Sequence, residues 1–514
     1  MKLTIILISI IITSIIFSYL SEIAKMSAMQ IVKDMGMGWN LGNTFESYNK
    51  NDQKQKLTPN EQITLWGNPV PTKEMVISIK KYKFKTIRIP ITWKHFINEK
   101  NKVNEEWMSR IKEVVDWVIN NDMYCIINVN HDGESGNWLS EGISAKNKFI
   151  DLWSQIAEEF KNYDEHLIFE SMNQPKYEIE YLFDYKTLND LTQAFIDTIR
   201  NSGGNNNYRL LLIVGADKEI DSTCFSDYKL PNDPANKFAI SLNYYLPSQF
   251  CIEPDDNPWT WSDDKGTYEI TPLTIWGSEE DYNDMISNLE TVREYYINKG
   301  IPIIFTETGV LTEQKKDKES IREFLNAIFS FATNHDGMMA CLWDTSNKNL
   351  EGMNYYDKVN RKWFDENIGD NFKKIGKGKY IKPLEYLYLT NSLTVRKPDP
   401  DGYFTISIKR LKVIKIIFNA KITTNNLWEF GFGISTSDKY GAWAGESING
   451  YEGVKQYDGT YLYIFDVRDK DYNNDIQIQK WWGEEFITIN YLTIEFEGRH
   501  YAFDYKGYKN ALSN

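Results

Sequence analysis

Glu307 carries the most chemistry in this sequence: it is a carboxylate closing the apolar run PIIFTETG, which begins at residue 302. An ionisable group at the end of a buried run is costly unless it is paired or used. Taken alone, Glu307 fits a paired structural carboxylate as well as a nucleophile or base. Polar and aromatic residues close other apolar runs in the same way: Asn43, Arg88, Asn130, Asn173 with Gln174 beside it, Tyr245 and Trp343. Gathered in one place, such a set would combine an attacking oxygen, a cation beside it, amides that hydrogen-bond a neutral polar ligand, and a ring for stacking. Acid–base work would also need a proton donor, and an amide such as Gln174 neither gives up an acidic proton nor takes one near neutral pH. Other chemistries have weaker support. The histidines at 95, 131, 166, 335 and 500 form no His-x-x-x-His pattern, and no Cys-x-x-Cys occurs, so no metal site is expected. Gly36 and Gly38 lack the third glycine of a phosphate-binding loop, and Ser171 lacks a nucleophile elbow. No cofactor is expected.

The elements that must position these residues are short runs rich in β-branched and aromatic residues. They start at residues 36, 84, 124, 166, 209, 238, 302 and 339, and each fits a parallel strand buried on both faces. Helical patterns lie between most of them, at 72–82, 104–121, 145–161, 186–201, 279–298 and 316–334; the unit after the fifth run is short and irregular. In the segment from 104, Trp107, Ile111, Val114, Val115, Val118 and Ile119 share one face, Asn104 is a suitable N-cap, and Glu105 and Glu106 occupy the first turn. Eight alternations predict an α/β fold, a closed (β/α)8 TIM barrel, over 28–377. The C-terminal strand ends of such a barrel converge on one mouth, which accounts for the polar residues found there.

Beyond about 378 the pattern changes. A Lys- and Pro-punctuated stretch, 378–402, is expected to be a linker, and strand-like alternation over 403–514 predicts an all-β sandwich. Its Trp428, Trp443, Trp481, Trp482, Tyr457 and Tyr472 fit either a sandwich core or a sugar-stacking face, which makes the domain a candidate carbohydrate-binding module. At the other end, Met1 and Lys2 precede an apolar run from Leu3 to Leu20, so residues 1–21 are expected to be a secretory signal, or else a retained N-terminal anchor facing the protein outward. The expected location is therefore extracellular. A net charge of −14 argues against nucleic acid or an anionic membrane as partner and is indifferent to a neutral polymer. Four cysteines are too few for a disulfide scaffold: Cys125 and Cys341 sit in apolar runs as buried thiols, and Cys224 and Cys251 sit in loop-like stretches where they could pair. A monomer is expected.

In order along the chain, GWNLGNTFE from 38, LWGNP from 65, IRIPITW from 87, NVNHDG from 128, LIFESMNQP from 167, SLNYYLP from 241, IIFTETG from 303 and CLWD from 341 resemble the strand-end motifs of glycoside hydrolase family 5, nearest its endo-β-1,4-glucanases. The resemblance spans residues 30 to 377. It implies a retaining mechanism on β-1,4-glucan with two carboxylates about 5–5.5 Å apart. It makes Glu307 the nucleophile and places Gln174 where the family has its acid/base glutamate. It assigns sugar contacts to Asn43, Glu46 and Asn173, support of the nucleophile to Arg88 and Tyr245, and a sugar platform to Trp343. Asn130, beside His131, and Asn243 stand where the family usually has histidines. Three titratable groups have thus become amides. The chain is accordingly expected to hold β-linked glucan with weak or absent hydrolysis; the alternatives are an active endo-β-1,4-glucanase and a non-enzymatic surface or scaffold protein.

Overall fold

The computed structural model describes residues 25–378 apart from 50–56, 133–137, 140–144, 176–177, 180–181, 253–274, 278, 313–315 and 347–351, and beyond 378 the segments 393–394, 403–406, 413–436, 446–455, 459–466, 476–482, 487–496 and 499–503. The expected leader at 1–21, most of the 378–402 linker, and Trp443, Tyr457 and Tyr472 lie outside these residues, as do the side chains of Trp481 and Trp482. No described helix is long and apolar enough to cross a membrane.

The eight apolar runs form β1 (Met37–Asn40), β2 (Phe84–Ile89), β3 (Tyr124–Asn128), β4 (Leu167–Glu170), β5 (Leu211–Val214), β6 (Phe238–Tyr244), β7 (Ile303–Thr308) and β8 (Met338–Leu342). They close into a parallel barrel in which β8 pairs with β1. Seven of the helices around it are α2 (Lys73–Lys80), α3 (Glu105–Ile119), α4 (Lys146–Phe160), α5 (Tyr185–Asn201), α6 (Glu279–Tyr295), α7 (Lys318–Asn334) and α8 (Glu366–Ile375). Helix α3 shows why they form. Asn104 accepts a hydrogen bond from the Trp107 amide at 3.0 Å, a cap worth about 1 kcal/mol. Trp107, Ile111, Val114, Val115 and Val118 are all fully buried, each contributing roughly 1.5–3 kcal/mol. After β5 the chain makes only a 3-10 turn at Ala216–Lys218 and a short helix at Ile220–Cys224.

One helix is not foreshadowed by the strand pattern. In α1 (Ala28–Met35), Ser27 and Gln30 form a reciprocal capping box. Its Ile31, Val32 and Met35 pack with Ile126, Ile168, Leu212 and Ile304 from four strands, plugging the end of the barrel opposite the mouth. The register sets the mouth: Asn40 lies beside Arg88, Asn128 beside Glu170, and Asn243 beside Glu307. The last pair follows a register shift between Leu242 and Asn243.

None of the four cysteines is in a disulfide, so Cys224 and Cys251 form no bridge; Cys125, Cys251 and Cys341 are buried and Cys224 is partly exposed. The chain divides into two compact units, Met1–Pro254 with Glu280–Lys382, and Asp255–Glu279 with Pro383–Asn514. In the second unit, the described strands form two antiparallel sheets. Val413–Ile422 pairs with Tyr461–Asp466 and Ile487–Phe496 in one; Gly431–Thr436 pairs with Glu446–Asn449 and Ile476–Trp482 in the other. Phe430, Phe432 and Tyr463 are fully buried there.

Candidate active site

Arg88 organises the mouth of the barrel. Its side chain is fully buried at the end of β2, and each of its three nitrogens is engaged. Nε donates to Glu170 Oε2 at 2.6 Å, Nη1 to Glu307 Oε1 at 2.9 Å and to Asn40 Oδ1 at 3.0 Å, and Nη2 to Asn173 Oδ1 at 3.1 Å. Glu307 is also approached by the Asn243 amide at 3.3 Å and the Tyr245 hydroxyl at 3.4 Å, both on Oε2. Five of the residues singled out in the sequence therefore meet: Arg88, Asn173, Asn243, Tyr245 and Glu307. Burial opposes the charge of Arg88, but the flanking Glu170 and Glu307 carboxylates push its pKa up further still.

Glu170 lies one layer deeper and is fully buried. Besides Arg88, it accepts from Lys218 Nζ at 2.8 Å and Ser241 Oγ at 2.6 Å, and from Asn128 Nδ2 at 3.2 Å. Burial would raise its pKa; the charges of Arg88 and Lys218 overcome this and hold it down at about 2. Lys218 also reaches Thr306 Oγ1 at 2.9 Å and Asn173 Oδ1 at 3.4 Å. Two cations thus face two carboxylates on the floor of the site. Burial drives the Lys218 pKa down, against the pull of Glu170.

Gln174 stands at the rim. Its Nε2 donates to Asp217 Oδ1 at 3.3 Å, so a carboxylate adjoins this amide. Asp217 and Lys218 both adopt left-handed backbone, with φ of 48° and 56°. Neither is glycine, and such a conformation costs roughly 1–2 kcal/mol per residue, a strain typical of functional turns. This turn sends Lys218 to the floor and Asp217 to Gln174.

The remaining residues named from sequence are placed as follows. Glu46 is buried, and its carboxylate accepts from the backbone amides of Asn43 and of Thr44, the latter at 2.9 Å, so it shapes the loop after β1. Burial pushes its pKa up to about 7. Asn43 takes φ of 53° in that loop, and its carbonyl accepts from Asn68 Nδ2 at 2.8 Å. Asn130 is buried, and neither atom of its side-chain amide has a partner among the described residues. His131 packs on Tyr48 with centroids 4.8 Å apart, and Trp66 lies 6.1 Å away. Trp343 follows β8, its amide donating to Thr308 O at 2.8 Å. A Cβ on Gly42 would meet Asp344 O at 2.8 Å, so glycine lets the β1 loop close against this segment.

Comparison with known proteins decides the family. The model for Cellulase (glycosyl hydrolase family 5) matches residues 48–349. The chain belongs to that family. This family 5 chain is 34% identical over 380 residues to Endoglucanase A of Clostridium longisporum, covering 70% of this chain and 69% of that protein. It is 32% identical over 375 residues to Endoglucanase A of Paenibacillus barcinonensis, covering 68% and 90%. Among solved structures, a broad-specificity endoglucanase from an uncultured bovine rumen ciliate is 55% identical, with a TM-score of 0.66, covering 69% of this chain and 99% of that one. A lichenase from a Caldicellulosiruptor species, solved as a glutamate-to-glutamine mutant with cellotetraose, is 30% identical with a TM-score of 0.60, covering 68% and 96%.

Neither Asp217 nor Lys218 stands out in the sequence of this family 5 protein. The signal was available: they follow the fifth apolar run at Gly215, in the same strand-end position that marks Asn173 and Glu307. The irregularity of the segment hid them.

Proposed function

We propose that the barrel mouth holds a β-1,4-linked glucan in a retaining-type site that cleaves it poorly. Gln174 occupies the acid/base position, and this residue carries the reading. Glu307, fixed by Arg88, Asn243 and Tyr245, is the attacking oxygen. Asn173 and Trp343 grip the sugar beside it. Loss of a general acid typically costs on the order of 10²–10⁴ in rate, while the hydrogen bonds and stacking that hold the sugar remain. The lichenase relative, which carries glutamine for a glutamate and holds cellotetraose, supports the compatibility of such an exchange with sugar binding. Titration calorimetry with cellotetraose, alongside hydrolysis of carboxymethylcellulose, tests the proposal. Micromolar to millimolar binding with turnover far below that of the endoglucanase relatives is expected; turnover at their rate refutes it.

A second reading, an active endo-β-1,4-glucanase, is favoured by one observation: the Asp217 carboxyl lies 3.3 Å from the Gln174 amide. There Asp217 passes its proton to the leaving oxygen, directly or through one water, as Glu307 bonds to the anomeric carbon. It then takes a proton from the water that releases the sugar. The Asp217→Asn variant discriminates between the two: it loses turnover of unactivated glucan if this reading holds and leaves it unchanged if it does not. The reading extends to the rest of the chain as a secreted protein with residues 1–21 as its leader. Its second unit is a β-sandwich carbohydrate-binding module.

A further inference from the structure

Two turns in the second unit bring an exposed aromatic pair together. Trp428 is 70% exposed and Tyr451 42%, with ring centroids 4.0 Å apart and planes tilted by 32°. One turn leads into the strand Gly431–Thr436 and the other leaves its partner Glu446–Asn449; Gly431 pairs with Asn449. Both turns are braced by polar contacts. Asn426 Oδ1 accepts from the Trp428 amide at 3.3 Å, and its Nδ2 donates to Glu429 Oε1 at 3.2 Å. Thr424 Oγ1 donates to Glu429 Oε2 at 2.8 Å. On the other side, Asn449 Nδ2 donates to the Tyr451 hydroxyl oxygen at 3.1 Å and to Glu452 Oε2 at 2.7 Å. Beneath them, the Tyr463 hydroxyl donates to Gly450 O at 2.9 Å, and the Gly450 amide donates to Phe430 O at 2.9 Å.

A large ring left this exposed forfeits the burial that usually justifies a tryptophan, and a contiguous pair of such rings is more informative than a scattered apolar residue. Here one ring supports the other, so little side-chain freedom remains to be lost when a ligand arrives. The chemistry of the rim narrows the ligand. Asn426 and Asn449 are amides and Glu429 and Glu452 are carboxylates, which suit hydroxyl donors and repel phosphate. The area is also small. Two rings of roughly 150–250 Å² each, part of it mutually covered, fall well short of the ~800 Å² per partner of a stable protein interface. They match one or two pyranose rings.

We propose that Trp428, backed by Tyr451, is a stacking platform for a β-linked glucose polymer, a glucan site separate from the barrel mouth. The flat C–H face of an equatorially linked pyranose lies on the outer face of Trp428, and its hydroxyls reach the amide and carboxylate rim. The inference rests on the second unit being a carbohydrate-binding module and specifies where that module binds.

Affinity electrophoresis of the full chain through gels containing barley β-glucan tests it, using the parent and the Trp428→Ala, Tyr451→Ala, Trp343→Ala and Trp343→Ala/Trp428→Ala variants. Trp428→Ala is expected to weaken retardation on the order of tenfold, consistent with one stacked ring. Trp428→Phe should recover part of this, and starch gels should retard none of the proteins. Trp343→Ala should still be retarded, and the double variant should run freely. A Trp428→Ala protein that migrates like the parent overturns the platform. If Trp343→Ala persists in being retarded in that case, the module reading survives and the site lies elsewhere. If Trp343→Ala alone runs freely, the module reading fails as well.

Discussion

Placing a carboxyl at position 174 should do more than supply the general acid of the proposed site, because the new group would face Asp217. In the Gln174→Glu variant, two carboxyl groups would lie about one hydrogen bond apart, where the amide now sits 3.3 Å from Asp217 Oδ1. Two unit charges at that separation repel by roughly 5 kcal/mol at an effective dielectric near 20. Both residues are partly exposed, which cuts this to a shift of about one to two pKa units. The sign follows from the repulsion: the doubly ionised pair is disfavoured, so one proton is held to higher pH. A retained proton is what a general acid needs. Carboxymethylcellulose hydrolysis should therefore rise by about 10²–10⁴, with the alkaline limb of kcat/KM lying above that of a lone glutamate. Adding Asp217→Asn to Gln174→Glu removes the repulsion and should move that limb down by about one to two units. Reducing-sugar assays from pH 4 to 9 on the parent, the single and the double variants measure both effects. A rise below tenfold refutes the placement of Gln174 at the donor position. An alkaline limb that ignores Asp217→Asn refutes the coupling.

Changing Asn130 and Asn243 to histidine on top of Gln174→Glu should raise turnover further than the single change, since Asn243 touches Glu307 and the buried Asn130 amide has no partner among the described residues; the same assay decides. Lys218→Met leaves Glu170 with one of its two cations, and should destabilise the barrel by about 3–5 kcal/mol, read as a fall of about 5–10 °C in Tm. Glu170→Gln combined with it should recover part of that loss, and an additive result counts against the pair. Because the Glu170 carboxyl is held at about 2, below its unfolded range, its contribution is fully present above about pH 5 and is lost as pH falls toward 2; melting curves of the parent and Glu170→Gln should converge over that window. Asn104→Ala removes the α3 cap and should cost about 1 kcal/mol in urea unfolding.

The barrel is legible in the sequence because a parallel strand covered on both faces must be apolar throughout, and eight such runs recur with helical patterns between them. Asn173, Tyr245 and Glu307 are legible by exception, as polar groups where apolar ones belong. The floor is less so. Glu170 is 48 residues from Lys218 and 82 from Arg88, and only closure of the barrel brings the three together. Glu46 shows the reverse limit: its place in the resemblance suggests a sugar contact, while its burial and its bonds to the Asn43 and Thr44 amides describe a loop brace. Helix α1 carries a readable capping box in Ser27 and Gln30, but as a plug at the barrel's closed end it belongs to no strand–helix alternation. The Trp428 platform depends on two turns meeting, which alternation in single strands does not reveal.

Among the described residues, Gln174 hangs from the rim by one bond to Asp217, while the charges that hold the barrel mouth in shape are settled among Arg88, Lys218, Glu170 and Glu307 below it. Exchanging it therefore leaves the architecture untouched. Glutamine and glutamate codons differ in a single base, as do those of asparagine and histidine. On the proposed reading, the step between gripping a polysaccharide and cutting it is thus short in mutational distance, and its cost is confined to the repulsion between residue 174 and Asp217 at the rim, so a lineage carrying this scaffold could cross it in either direction without first rebuilding the protein.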